Sequence, residues 1–74
     1  MNTNNVEEIY KVIKYSFNKY DVSDATEAHN IALRFFDKYY KGFSVKGVYY
    51  EFDFVNLTHN IYITYWIYKG EWDG

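Results

Sequence analysis

The sequence predicts an α+β domain in which a two-helix hairpin packs on a small antiparallel β-meander, in the order ααβββ or ααββ. Three observations predict it. Apolar residues recur at helical spacing through about residue 41, the apolar period changes to two from Phe43 onward, and 74 residues without cysteine make one domain, residues 1–74, around one small core.

Residues 5–20 are expected to form an amphipathic helix. Asn5 serves as N-cap with Glu8 three residues on, as in a capping box, and Val6, Ile9, Tyr10, Ile13, Phe17 and Tyr20 make one apolar stripe. Lys11, Lys14 and Lys19 lie largely off that stripe and read as its solvated side, with Glu7 and Lys11 as a favourable i,i+4 pair.

DVS breaks the pattern, and a second helix over 23–41 starts at Ser23 or Asp24. It carries Ala25, Ala28, Ile31, Ala32, Phe35, Phe36 and Tyr39 inward and ends at Gly42 as its C′ residue. Asp24 and Glu27 then lie in the first turn, where the helix dipole favours negative charge. The short connection makes the two helices antiparallel.

Antiparallel strands follow near 43–56 and 60–69. Apolar parity shifts from odd at Phe43 and Val45 to even at Val48, Tyr50, Phe52 and Phe54, so Gly47 marks a bend or bulge. LTHN (57–60) reads as a turn. In IYITYWIYK, Ile61, Ile63, Tyr65 and Ile67 form one face, and Tyr62, Thr64, Trp66 and Tyr68 the other. If the aliphatic face meets the helices, the aromatic one shares its side of the sheet with Tyr49, Glu51 and Asp53 of YYEFDF (49–54).

That second face carries the functional reading. The chain has ten Tyr, six Phe and two Trp, more rings than a core of this size encloses, and tyrosine is the ring that best tolerates a wet or interfacial position. AT-rich coding is a competing explanation for part of the excess. Tyr49, Tyr62, Trp66 and Tyr68 are the candidate aromatics of a homodimer or other interface. The candidate partner-binding carboxylates are Asp21, Asp24, Glu27, Glu51, Asp53, Glu71 and Asp73. Side chains i and i+2 on a strand lie about 6.7 Å apart, of the order of successive phosphates, so carboxylates among tyrosines can imitate DNA to a protein that reads the phosphate backbone.

Several classes recede. Net charge is −2, divided as +1 over 1–20, −1 over 21–41 and −2 over 42–74, so no basic patch marks a direct nucleic-acid binder. An aromatic sheet platform for single strands is an alternative, but on this reading only Lys46 and Lys69 lie in the sheet. His29 and His59 have no acid or nucleophile at a catalytic spacing, and no phosphate loop or metal-ligand cluster occurs, so neither an enzyme nor a cofactor is expected. The polar, acidic MNTNNVEEIY has no secretory pattern, and no apolar run reaches membrane-spanning length. The expected location is cytoplasmic.

The short, cysteine-free chain, rich in Asn, Lys, Ile and Tyr, resembles early-expressed host-takeover proteins of large phages. In its 74-residue length and in the make-up of VYYEFDFVN and IYITYWIYKGEWDG it resembles the sliding-clamp inhibitors of large staphylococcal phages. That resemblance implies a dimer that occupies the DNA channel of the host polymerase clamp and stops replication. Small anti-CRISPR proteins look similar, which implies instead a DNA mimic aimed at a nuclease. The chain contains no glutamine, so a clamp-binding peptide of the Gln-x-x-Leu/Phe kind is not present, and channel filling is the mode the resemblance favours.

Overall fold

The computed structural model describes residues 8–69 of the chain. The elements run β1 (Glu8–Asn18), α1 (Ala25–Tyr39), β2 (Val45–Asp53) and β3 (Thr58–Lys69), and the strands form one sheet of order β1-β3-β2. Both pairings are antiparallel. β1 and β2 therefore run parallel to each other with β3 between them, and α1 is the crossover, a split βαβ arrangement.

The two-helix hairpin is thus corrected: the segment read as the first helix is a strand, and no meander forms. The apolar positions Ile9, Tyr10, Ile13 and Phe17 fit helical spacing, but Ile9, Ile13, Tyr15 and Phe17 also alternate with period two. The run is dense in β-branched and aromatic residues, which suit a pleated surface better than a helix. What decides between the periods is β3, whose Ile61 and Ile63 are fully buried and need a neighbour on each side. β1 supplies one, with Ile13 opposite Ile63 and Tyr15 opposite Ile61. Asn5, which was to cap the first helix, and Glu7, which was to pair with Lys11, lie outside the described residues.

α1 begins as expected. Asp24 caps it, accepting from the Glu27 N–H at 2.9 Å, while the Glu27 carboxylate accepts from the Ser23 N–H at 2.6 Å. The helix ends at Tyr39, earlier than the sequence reading, and Gly42 lies in the following loop at φ +97°, a conformation that disfavours any Cβ. Ala28, Ala32 and Phe36 are its buried stripe. They meet Val22, Ile61, Ile63 and Tyr65, with Ile13, Tyr15, Phe17, Ile31, Leu33, Tyr40 and Val48 packed around them. Phe35 and Tyr39 are exposed rather than inward, because the helix touches the sheet mainly along β3.

The β2–β3 turn falls at 54–57, not at LTHN, and Leu57 takes a left-handed φ of 58° to close it. At the other end the expected bulge is present: the register shifts between Val45 and Gly47, leaving Lys46 as the extra residue. A second shift, between Ile9 and Tyr10, leaves Ile67 unpaired across from them and half-exposed. One helix on a three-stranded sheet gives a long, thin body. Its Cα extents are 51 × 25 × 14 Å and its radius of gyration is 15.7 Å, against about 11 Å for a compact chain of this length. No helix among the described residues is long and apolar enough to cross a membrane.

Candidate functional site

The sheet face turned away from α1 is built from register. Reading across β2, β3 and β1, its rows are Gly47–Thr64–Val12, Tyr49–Tyr62–Lys14, Glu51–Asn60–Ser16 and Asp53–Thr58–Asn18, with Trp66 beside Tyr10 at one end. Tyr49, Glu51 and Asp53 do share this side with Tyr62, Thr64 and Trp66. The Tyr68 side chain lies outside the described residues, as do Glu71 and Asp73.

No protein-family model, curated protein or solved structure matches the chain.

The face has two chemically different halves. Near Asp53 it is polar and internally bonded. Asn60, only 2% exposed, accepts from the hydroxyls of Ser16 at 2.7 Å and Thr58 at 3.0 Å, so this buried amide is held on two sides. The Tyr62 hydroxyl donates to Glu51 Oε1 at 2.8 Å. That bond, helped by burial and by the charges of Glu51 and Asp53, raises the Tyr62 pKa. Near Trp66 the face is aromatic and carries cations. Tyr10 meets Trp66 edge-on at 5.8 Å, and Lys46 Nζ lies 4.7 Å from the Tyr10 ring centre and 5.5 Å from that of Trp66. Lys14 Nζ lies 5.7 Å from the Tyr62 ring.

Tyr10, Val12, Lys14 and Lys46 were missed as members of this face. The first three were assigned to a helix. Lys46 reaches it through the bulge, of which the parity shift at Gly47 was the available sign.

The candidate carboxylates also have local structural work. Asp53 accepts from the N–H groups of Val55 at 2.8 Å and Asn56 at 3.0 Å, and from Asn56 Nδ2 at 2.8 Å, which closes the β2–β3 turn. The Asn56 bonds, then the Val55 bond, pull its pKa below the ordinary value. A depressed folded pKa means that the carboxylate stabilises the fold above the ordinary range, about 4, and that this contribution fades as pH falls through the lower folded value. Asp53→Asn should therefore lower the urea midpoint at pH 7 and flatten its decline below about pH 4. An unchanged acid limb would refute this assignment.

Strand direction gathers the charges. Asn18, Asp53, Thr58 and the start of α1 lie at one end of the body, and Glu8, Val45, Lys69 and the end of α1 at the other. Asp21, Asp24, Glu27, Glu51 and Asp53 thus fall toward the first end, where Lys19 is the opposing base. Among the described residues, Lys11, Arg34, Lys38, Lys41, Lys46 and Lys69 fall toward the second, with Glu8 and Asp37 as the acids there.

On the helix side, Ala25, Thr26, His29 and Tyr50 line a shallow pocket of about 270 Å³. Tyr50 also pairs its hydroxyl with His59 Nδ1 at 2.8 Å, and Phe52 packs on the same imidazole. Among the described residues no group of His, Cys, Asp and Glu could hold a metal ion.

Proposed function

We propose that this protein is a phage inhibitor of host DNA replication that binds the polymerase sliding clamp and presents its acidic end to the basic lining of the DNA channel. The observation that carries the reading is the charge polarity along the long axis. A net charge of −2 is too small for mimicry if acids and bases are mixed. Sorted by strand direction, the same charges give one end a dense negative field that steers it toward a positive surface. The caps and turns that use Asp24, Glu27 and Asp53 also hold those carboxylates in place, which lowers the ordering cost of binding. The resemblance to phage clamp inhibitors supplies the target.

The reading includes a homodimer. β1 is an edge strand of 11 residues with no neighbour on its outer side among the described residues, a template for pairing with a second copy. A two-fold axis through the sheet pairs β1 antiparallel with itself, preserves both faces and leaves the two acidic ends at opposite ends of the composite.

Binding to purified clamp, measured by surface plasmon resonance, tests this. Association should slow markedly between about 50 and 500 mM salt, because screening shortens the reach of the field, and duplex DNA should compete. Asp21→Lys with Glu51→Lys should weaken binding at least tenfold more than Lys11→Glu with Lys38→Glu. Equal effects of the two double variants, or salt-independent binding that DNA does not displace, would reject the channel mode. Capture of a nuclease instead of the clamp would reject the target.

A further inference from the structure

We infer that the sheet face around Tyr10, Tyr49, Lys46 and Lys14 is a binding platform for a short stretch of single-stranded nucleic acid. This site is separate from the acidic end and does not depend on the clamp.

The starting point is the bulge. An uninterrupted strand would turn Lys46 toward the helix side. The extra residue re-aims it, and its ammonium ends over Tyr10 and Trp66 on the open face. Its neighbour Gly47 has no side chain, and the Tyr49 ring leans into the space: a Cβ at position 47 would come within 2.8 Å of the Tyr49 hydroxyl oxygen. The second register shift, at Ile9/Tyr10, falls at the same end of the sheet, in the β1–β3 pairing on the other side of the central strand. Two irregularities and a glycine thus converge to set rings and an ammonium side by side.

The chemistry of the occupant follows. Tyr10 and Tyr49 are 53% and 56% exposed, enough to offer ring area for stacking on bases, and stacking tolerates any sequence because every base has a π-face. Lys46 and Lys14 stand beside these rings and can exchange a cation–π contact for a phosphate. Successive rows on the face are about 6.7 Å apart, of the order of the phosphate step in an extended strand. From the Tyr10 row to the Lys14 row is therefore room for two or three nucleotides. Glu51, bonded to Tyr62, bounds the platform on its acidic side by repelling phosphate. Nucleic acid recedes on the sequence reading because Lys11 and Lys14 belong there to a helix, which leaves only Lys46 and Lys69 in the sheet. With β1 in the sheet, Lys14 joins Lys46 on the ring-bearing side, while Lys11 lies on the opposite one.

The test is fluorescence anisotropy of a labelled oligo-dT of eight nucleotides titrated with the full chain. Binding is expected at about 10–100 μM in low salt, with log K falling against log[salt] at a slope of about −1.4, for two phosphates at about −0.7 each. Tyr49→Ala should weaken binding roughly fivefold or more. Lys46→Ala should weaken it and reduce the slope by about 0.7, and Lys46→Arg should restore both. Lys11→Ala should change nothing, and a duplex of equal length should bind at least tenfold more weakly because its bases are already stacked. Circular dichroism of each variant must match the parent; should Tyr49→Ala fail this, Tyr10→Ala takes its place. No saturable binding by about 1 mM, equal affinity for duplex, or Lys11→Ala as harmful as Lys46→Ala would overturn the proposal. So would sedimentation showing that Tyr49→Ala dissociates a dimer, since the face would then be covered by a second copy.

Discussion

Phe36→Ala should leave this protein largely unfolded at room temperature. The Phe36 side chain is 4% exposed, stacks on Tyr40 at 5.1 Å and meets Tyr65 at 5.4 Å. Tyr65 in turn contacts Tyr40 and Phe43, so one substitution removes a member of a four-ring cluster together with two of its ring pairs. Truncating a buried Phe costs about 3–5 kcal/mol in transfer and cavity terms, and each ring pair adds about 0.5–1.5 kcal/mol. A chain of 74 residues has only about 4–11 kcal/mol in total at about 0.05–0.15 per residue. Among the described residues there is no second layer of core to absorb the loss, because α1 covers only one face of the sheet. Urea unfolding followed by circular dichroism should lose most of its native baseline. Tyr39→Ala on the same helix, with Tyr39 66% exposed, should move the midpoint little. Similar losses from both would mean that Phe36 does not anchor α1 to β3.

Val12→Cys with Thr64→Cys should form a disulfide in air and raise stability by about 4 kcal/mol. The two residues face each other across β1 and β3, and directly opposite residues in an antiparallel pair have Cα atoms about 4.5–5.5 Å apart, within the reach of a disulfide. Closing a loop of about 50 residues gives the stated magnitude in the chain-entropy picture, less any strain. The chain has no cysteine of its own, so nothing competes. Val12→Cys with Ile63→Cys, one residue out of register, places the two thiols on opposite faces and should stay reduced. If residues 5–20 formed a helix, neither pair would have a defined geometry. Failure of the first pair, or equal oxidation of both, would contradict the β1–β3 register.

Much of the second half was legible. β2 and β3 announce themselves through β-branched and aromatic alternation, and the parity shift at Gly47 shows as a bulge in the sheet. α1 was legible through Asp24 and Glu27 at its start and Ala28, Ala32 and Phe36 on its stripe, because capping and an apolar stripe are local signals. Alternation along β2 and β3 is by itself enough to place Tyr49, Glu51, Asp53, Tyr62 and Trp66 on one face. It could not add Tyr10, Lys14 and Lys46, since those reach the face through β1 and through an irregularity of register.

What the sequence determined by itself is therefore what neighbours along the chain decide: caps, turns, the alternation of β2 and β3, and which of their side chains share a side. The tertiary structure alone decided the state of residues 8–18, whose apolar positions satisfy both periods. Isolated, that segment has no reason to prefer one. Beside β3 it does, because a central strand with Ile61 and Ile63 fully buried must satisfy its backbone N–H and C=O groups on both edges, and only a third strand supplies those partners. The same pairing sorted the charges. Among the described residues most acids fall at one end of the body and most bases at the other, because β1 and β2 run one way and α1 and β3 the other.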